Sequence, residues 1–345
     1  MFDAQPENSV LRYHCRFASP GRQIRSRPQP LPDMPRKKTH DVPSWLDNYL
    51  TANPPRAKSL VMTLFGDVIT PHGGAVWLGS LIELLAPFGI SDRLVRTSVF
   101  RLAEEGWLDA QRQGRRSRYT LNPRSAARFE RAYRRIYTPT HRDWDNRWTL
   151  VLANVGKITA EQRSTLRKEL LWQGYRIVAP YVLAHPAPDM ETLDDILHRA
   201  DAKESVFVCT AMQPEPAPAR PLGDLVAQCW ELEPVFNEYT RFLVDFKGLV
   251  DILGANAEYV APETAFVIRE LMIHAFRRIN LHDPQLPLAL LPAQWPGDIA
   301  YELCRLIYQA THKRSEQYVL ETLRREDQHA PDVAGYFYDR FGGLA

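Results

Sequence analysis

Residues 80–121 read SLIELLAPFGISDRLVRTSVFRLAEEGWLDAQRQGRRSRYTL and contain signals for two helices and a hairpin. Ser80 is predicted to cap a short apolar helix that ends at a Pro-Phe-Gly turn, and Ser91 to cap a second helix over residues 92–105. Gly106 ends that helix, and the two β-rich runs around a Gln-Gly pair predict a hairpin. This order of elements is typical of a winged helix-turn-helix, which places its second helix in the major groove of DNA.

The second predicted helix has an apolar face and a polar face. Its apolar residues recur every three or four positions, as in Val95, Val99 and Leu102, so we expect them to face the core. The opposite face can donate hydrogen bonds to bases and phosphates. The DNA contacts predicted on this helix are Arg93, Arg96, Thr97, Ser98 and Arg101. Phe100 also faces outward, and packing against a neighbouring element is favoured over contact with a thymine methyl group.

Arginines surround the glycine turn of the predicted hairpin. A charged helix face alone is often merely solvated, but a basic hairpin directly after such a helix concentrates positive charge where a duplex backbone would lie. Together the two elements favour DNA binding. The DNA contacts predicted on the hairpin are Arg112, Arg115, Arg116 and Arg118.

The net charge of +2 conceals a division along the chain. Residues 1–142 hold 23 Lys and Arg against 12 Asp and Glu, or +11, whereas residues 143–345 hold 20 against 29, or −9. Such a division indicates a basic part that meets a polyanion. A predicted helix after the hairpin carries four arginines that either contact phosphates or pair with the acidic part of the chain. They are Arg124, Arg128, Arg131 and Arg135.

Composition and motifs narrow the class of protein. A chain of 345 residues with 45% hydrophobic and 24% charged residues indicates two or three globular domains. No apolar run suits a membrane span or a signal peptide, which predicts a cytoplasmic protein without membrane association. Four scattered cysteines favour neither disulfides nor structural zinc. Common enzyme motifs are absent and the predicted strand at 148–155 offers no carboxylate, so we expect no enzyme, no metal and no cofactor.

The expected fold class is α+β, with four segments. Residues 1–53 are basic and proline-rich and are predicted to form a disordered arm, with Met34 as an alternative start. Residues 54–140 form the winged-helix domain. Residues 141–221 follow the β-α-β order of a ferredoxin-like domain and end in a proline cluster. Residues 222–345 have a helical period throughout and are predicted to form an all-helical dimerisation or effector domain.

A second candidate site lies in the helical segment. His274, Arg277 and Arg278 fall within about one helical turn and precede rigid turns that include Trp295. One interpretation is an effector pocket in which arginines hold phosphates and aromatic rings hold an apolar group. The alternative is a structural hub of ion pairs. Trp144 and Arg147, near the junction of two predicted domains, are further candidates for the same pocket.

Several short segments together carry a family resemblance. They are LFGD at 64–67, WLGSLIELLAPFGI at 77–90, RLVRTSVFRL at 93–102, GWL at 106–108, DPQLP at 283–287, LLP at 290–292 and WPG at 295–297. These segments closely resemble the PaaX family, repressors of phenylacetic acid catabolism, and the resemblance covers about residues 54–323. It implies a bacterial repressor with a winged-helix domain, a central domain similar in fold to a CRISPR-associated integration nuclease, and a helical C-terminal dimerisation domain. It also implies phenylacetyl-coenzyme A as the inducer.

The main functional hypothesis is therefore a homodimeric repressor. Its two reading helices would enter successive major grooves of a partly palindromic double-stranded operator. One alternative is a nucleic-acid-processing or acyl-CoA-binding enzyme that uses the winged helix only for docking. Another is an architectural basic protein without an effector.

Overall fold

The computed structural model describes residues 41–138, 144–153, 157–212, 222–256 and 260–344. The part of the predicted arm before Asp41, with Met34, lies outside these residues, as does the proline cluster of residues 214–221. In chain order the elements are α1 (Val42–Ala52), α2 (Ala57–Leu64), β1 (Ala75–Trp77), α3 (Leu78–Leu85), α4 (Asp92–Glu104), β2 (Leu108–Gln113), β3 (Arg116–Leu121), α5 (Pro123–Tyr137), β4 (Arg147–Leu152), α6 (Ala160–Trp172), β5 (Arg176–Ala179), β6 (Val182–His185), α7 (Met190–Arg199), β7 (Phe207–Met212), α8 (Leu222–Cys229), α9 (Leu232–Asn256), α10 (Pro262–Asn280) and α11 (Gly297–Glu326).

The described residues divide into two compact units that differ from the predicted domains. The smaller unit consists of the described residues between 144 and 230 together with residues 286–295. The larger unit consists of residues 41–138, the described residues between 231 and 285, and residues 296–344. The predicted winged-helix segment and most of the predicted helical segment therefore fold as one unit. Their apolar residues share a core in which Val95 and Val99 are buried in the same cluster as Phe266 and Leu323.

Helix α1 corrects the predicted boundary of the arm. Residues 42–52 are helical, although they were predicted as part of a disordered segment. The Asp41 side chain accepts a hydrogen bond from the backbone N–H of Ser44, which caps the helix. The ring of Trp45 packs 5.4 Å from the ring of Phe246 in α9. The apolar face of α1 thus finds a partner far away in the sequence, which composition alone does not reveal.

The segment from α2 to β3 gives the larger unit its only sheet among the described residues. The sheet is antiparallel with the order β1-β3-β2. A turn of 3-10 helix at Ala86–Phe88 and Gly89, with φ of 74°, separate α3 from α4. Ser91 is the N-cap residue of α4, as predicted. The predicted cap at Ser80 is wrong, because α3 begins at Leu78 and Ser80 is buried inside its first turn.

The smaller unit is built around an antiparallel sheet of four strands in the order β5-β6-β4-β7. A capping box begins α6, since the Thr159 side chain accepts from the Gln162 N–H while the Gln162 side chain accepts from the Thr159 N–H. Strands β5 and β6 are separated by Pro180 and by Tyr181, which has a left-handed conformation. This reversal makes them an antiparallel hairpin.

Ionic side chains are buried in the core of the larger unit. Asp67, in a π-helical turn after α2, lies within 3.3 Å of both Arg269 and Arg340, and all three side chains are inaccessible to solvent. Burial alone would raise the pKa of Asp67, but the guanidinium groups of Arg340 and Arg269 outweigh it and hold the pKa at about 2. Asp67 therefore stays ionised and balances two buried cations.

Candidate nucleic-acid interface

One face of helix α4 is buried in the core of the larger unit, and the opposite face is exposed to solvent. The predicted inward residues Val95, Val99 and Leu102 are all buried. The outward residues Arg93, Arg96, Thr97 and Arg101 are all exposed. Ser98 differs from the prediction, since it is buried on the inner side of the helix. The side chains able to reach a ligand in solution are thus concentrated on a single basic surface.

An ion pair orders part of this basic surface. The Arg96 guanidinium lies 2.6 Å from the Asp92 carboxylate one turn earlier in α4, and more than half of each side chain is exposed. The Thr97 hydroxyl donates to the backbone carbonyl of Arg93 at 2.8 Å. Both interactions are local to the helix and solvent-accessible, so they hold the side chains against the helix without shielding them from a ligand.

Two large apolar side chains lie on the exposed side of α4. Phe100 is 60% exposed and Leu94 is 52% exposed. The favoured interpretation of Phe100, packing against a neighbouring element, is therefore wrong for the described residues. Both side chains are therefore accessible to a ligand that meets this side of α4.

The arginines of the hairpin do not all share one face. Cross-strand pairing places Arg116 opposite Gln113 and Arg118 opposite Gln111, whereas Arg112 lies opposite Ser117. Successive side chains of a strand point to opposite faces, so Arg112 lies on a different face from Arg116 and Arg118. Arg115 lies in the two-residue turn, after Gly114 with its φ of 60°. Arg112 and Arg115 are exposed.

Arg116 has specific partners within the larger unit. Its guanidinium lies 4.1 Å from the centre of the Trp77 ring, and its Nη2 donates to the backbone carbonyl of Glu326 at 2.6 Å. Arg118 is half-buried, and it lines a cavity of about 130 Å³ that Trp77 also lines. These two arginines therefore face the C-terminal end of α11, which the sequence-based interpretation of the hairpin did not anticipate.

The arginine side of α5 was left open between phosphate contact and pairing with the acidic part of the chain. Arg135 donates to the backbone carbonyl of Asp283, so at this position the contact is with the C-terminal segment. The guanidinium of Arg128 lies 5.5 Å from the centre of the Trp107 ring. Arg124, at the start of the helix, is exposed. Contact with the C-terminal segment is thus found at Arg135, and phosphate contact at Arg124 stays a prediction.

The predicted effector residue His274 lies inside the protein. It is buried, and its Nδ1 lies 2.9 Å from the Thr63 hydroxyl in α2. Burial, together with the charges of Arg277 and Arg278, lowers the pKa of His274 to about 3. A neutral, buried imidazole cannot hold a phosphate as a cation. His274 instead joins α10 to α2.

The other predicted effector residues belong to different parts of the fold. Arg277 is half-buried and Arg278 is exposed on α10 of the larger unit. Trp295, which is buried, belongs to the smaller unit, as do Trp144 and Arg147. The indole N–H of Trp144 donates to the carbonyl of Pro186 at 2.9 Å, and the Arg147 guanidinium lies 3.7 Å from the Asp145 carboxylate. The described contacts do not assemble these six residues into one pocket.

A buried ionic cluster was missed from the sequence. Arg269 and Glu270 sit side by side in α10 within the apolar run AFVIRELMI, and both are completely buried. Arg269 reaches both Asp67 and Glu316. Two adjacent charges within an apolar helical run were the available signal, because buried charges require partners. Among the described residues, no group of three or more His, Cys, Asp and Glu side chains is arranged to hold a metal ion, and no helix there has the length and apolar character to cross a bilayer.

Three family models match the chain in succession. Residues 56–125 match "PaaX-like protein", residues 141–222 match "PaaX protein central Cas2-like domain", and residues 230–321 match "PaaX-like protein C-terminal domain". The first match contains α3, α4 and the hairpin, and the second contains the four-stranded sheet.

Similarity to known proteins extends over most of this chain. The "Transcriptional repressor PaaX" of Escherichia coli (strain K12) is 36% identical over 301 residues, which cover 87% of this chain and 95% of that protein. The solved structure of the uncharacterized protein Rv0674 from Mycobacterium tuberculosis covers 70% of this chain and 89% of its own at 26% identity, with a TM-score of 0.42. The three successive matches and the extent of the identity show that the chain belongs to the PaaX family.

Proposed function

We propose that this protein is a DNA-binding transcriptional repressor of genes for phenylacetic acid catabolism, and that phenylacetyl-CoA releases it from its operator. The observation that carries the proposal is the exposed basic surface of α4, held in place by the buried stripe Val95, Val99 and Leu102. The similarity to the E. coli protein named as a transcriptional repressor supports the regulatory role.

The arrangement proposed for the head is a winged helix-turn-helix. The order α3, turn, α4, β2 and β3 supports it, with α4 as the reading helix and the β2–β3 hairpin as the wing. A helix fits the major groove, where each base pair offers a distinct pattern of donors and acceptors. The 13 residues of α4 span about 20 Å, long enough to cross the groove. The β-α-β-β-α-β order from β4 to β7 likewise supports a ferredoxin-like central domain.

Burial and pairing refine the proposed set of DNA contacts. Base and phosphate contacts are assigned to exposed residues of α4 and the hairpin. They are Arg93, Arg96, Thr97, Arg101, Arg112 and Arg115. Ser98 is omitted from the set because it is buried. Arg116 is omitted because its guanidinium already stacks on Trp77 and donates a hydrogen bond to the backbone carbonyl of Glu326. Arg118, half-buried beside the same tryptophan, is also excluded.

Phe100 joins the proposed set as an apolar contact. Its ring is exposed among arginines, and the methyl group of thymine is the apolar feature of the major groove. A hydrophobic contact of this kind distinguishes thymine from cytosine without a hydrogen bond. The operator is therefore expected to contain thymine within the half-site that α4 meets.

Repression and its release require a dimer and two conformations. Two copies of α4 related by a two-fold axis would read half-sites about one helical turn apart, or a multiple of it, on a partly palindromic operator. Phenylacetyl-CoA would release the protein only if it binds the non-operator conformation more tightly, because a ligand with equal affinity for both states shifts nothing. His274 is removed from the effector site by its burial beside Thr63.

Footprinting across the protein's own upstream region, followed by titration with a panel of CoA thioesters, tests the proposal. The expected result is one protected palindromic site, lost on addition of phenylacetyl-CoA and kept with acetyl-CoA. Cleavage of the duplex in the presence of Mg²⁺, or turnover of the thioester, would favour an enzyme instead. Protection that no thioester affects would favour an architectural protein without an effector.

A further inference from the structure

The C-terminal end of α11 meets both elements that flank the reading helix. The Glu326 carboxylate accepts a hydrogen bond from the backbone N–H of Ser80 at 3.0 Å, in the first turn of α3. The backbone carbonyl of the same residue accepts from Arg116 in β3. One residue thus holds α3 through its side chain and the hairpin through its backbone.

The first turn of α3 needs an acceptor from elsewhere. The first N–H groups of a helix have no partner within it, and the residue before α3 is Trp77, whose side chain makes no cap hydrogen bond. A carboxylate at this end also interacts favourably with the helix dipole. Glu326 therefore does what a local Ser or Asp cap does at other helices.

The close approach of Glu326 depends on glycine. A Cβ at Gly79 would collide with the Glu326 carboxylate, although Gly79 has an ordinary helical conformation. Glycine in a helix is usually unfavourable relative to alanine, so at this position it serves to admit the carboxylate. A second contact supports the same junction, since Arg325 forms an ion pair with Glu83 of α3.

We infer that Glu326 is a positioning residue for DNA recognition, which fixes the spacing between α3 and the hairpin and thereby the presentation of α4. This inference rests on the proposed function, and it concerns a residue beyond the segment 230–321 that the C-terminal family model matches. Glu326 contacts no proposed DNA-binding side chain. It acts through Ser80 and Arg116.

Hydrogen–deuterium exchange and DNA binding, measured on the full-length protein, test the inference together. Glu326→Ala removes the acceptor of the Ser80 N–H but keeps the backbone carbonyl that accepts from Arg116. It is expected to accelerate exchange in peptides that cover the first turn of α3, and to weaken operator binding about tenfold while binding to random duplex changes less than twofold. Glu326→Gln keeps an oxygen acceptor for the Ser80 N–H and is expected to restore most of both. Arg324→Ala, which removes a charge paired with Asp332 on the same helix end, is the matched control and should change neither.

Gly79→Ala is an independent probe that leaves Glu326 in the sequence. By helix propensity alone it should strengthen α3, whereas the inference predicts faster exchange there because the new methyl group displaces the carboxylate. Unchanged exchange in Glu326→Ala would overturn the contact itself. Faster exchange with unchanged operator affinity would overturn the positioning role. If the wild-type protein shows no sequence preference, the proposed function fails, and exchange still decides whether the Glu326 carboxylate holds the first turn of α3.

Discussion

Arg340, near the C-terminus, donates from Nη1 to Oδ1 of Asp67 at 3.0 Å, and both side chains are completely buried. Arg269 of α10 lies 3.3 Å from the other carboxylate oxygen. One carboxylate that follows α2 thus balances cations from two distant parts of the chain. The junction of the segment from α2 to β3 with the C-terminal helices is therefore ionic as well as apolar.

Asp67→Ala is expected to destabilise the larger unit by about 3–5 kcal/mol, because it leaves two buried guanidinium groups without their shared carboxylate. Urea unfolding followed by circular dichroism measures the change. Asp332→Ala, which breaks an exposed ion pair, should alter the free energy of unfolding by no more than ~0.5 kcal/mol. Equal losses for the two variants would show that the buried network contributes nothing specific.

The buried side chain of Glu270 predicts that the stability of the folded protein decreases as the pH rises. Burial raises the pKa of Glu270 well above its ordinary value, and the charge of Asp67 raises it further, while Arg269 opposes the shift. The folded protein therefore keeps a proton that the unfolded chain releases above pH ~4.3, and stability falls as the pH rises from there toward the folded pKa.

Glu270→Gln removes this titration while keeping a similar shape. Above pH ~4.3, the free energy of unfolding of the variant should increase relative to that of the wild type by on the order of 1 kcal/mol per pH unit. Below that pH the difference should be constant. A difference that stays constant from pH 4 to pH 8 would mean that Glu270 is ionised in the folded protein.

His274 predicts the opposite slope at acid pH. Burial lowers its pKa to about 3, so the folded protein keeps the imidazole neutral where the unfolded chain binds a proton. The resulting stability is present above pH ~6.5 and is lost as the pH falls toward 3. His274→Gln should lose stability at pH 7, since packing and the Thr63 contact are disturbed, but its deficit should shrink between pH 6.5 and 4. Unfolding curves that show the same deficit at both ends would contradict the assignment.

The sequence predicted α4 and its inward stripe because the signals were local: Ser91 begins the helix, Gly106 follows it, and Val95 and Val99 repeat at helical spacing. The cap at Ser80 was misplaced for the opposite reason. The acceptor that serves the first turn of α3 is Glu326, 246 residues away, and no local pattern identifies such a partner.

The sequence identified the arginines of the candidate site, but it predicted only in part which of them share an exposed surface. Alternation along β3 already separates Arg116 and Arg118 from their neighbours, but their position against the end of α11 depends on tertiary packing. His274 shows the same limit. A histidine beside two arginines is typical of an anion site, and only its burial against Thr63 assigns it to the interior.

Arg115→Ala is expected to weaken binding to operator and random duplex by similar factors, because the proposed function assigns Arg115, which is exposed in the hairpin turn, to phosphates rather than to bases. The slope of log K against log salt should decrease in magnitude by about 1. Fluorescence anisotropy at four salt concentrations measures both quantities. A loss confined to the operator would move Arg115 from the backbone to the bases.

We propose that the exposed face of α4 distinguishes one DNA sequence from another, and Arg96 lies on that face. Arg96→Ala is therefore the direct test. Fluorescence anisotropy should be measured with Arg96→Ala on the footprinted operator and on a random duplex of equal length and salt. Arg305→Ala is the control, since it removes a partly buried, ion-paired arginine about 30 Å along α11 from Glu326. We predict that Arg96→Ala loses ~1–3 kcal/mol on the operator and much less on random DNA, while the control binds as the wild type does. Equal losses of Arg96→Ala on the two duplexes would contradict the claim.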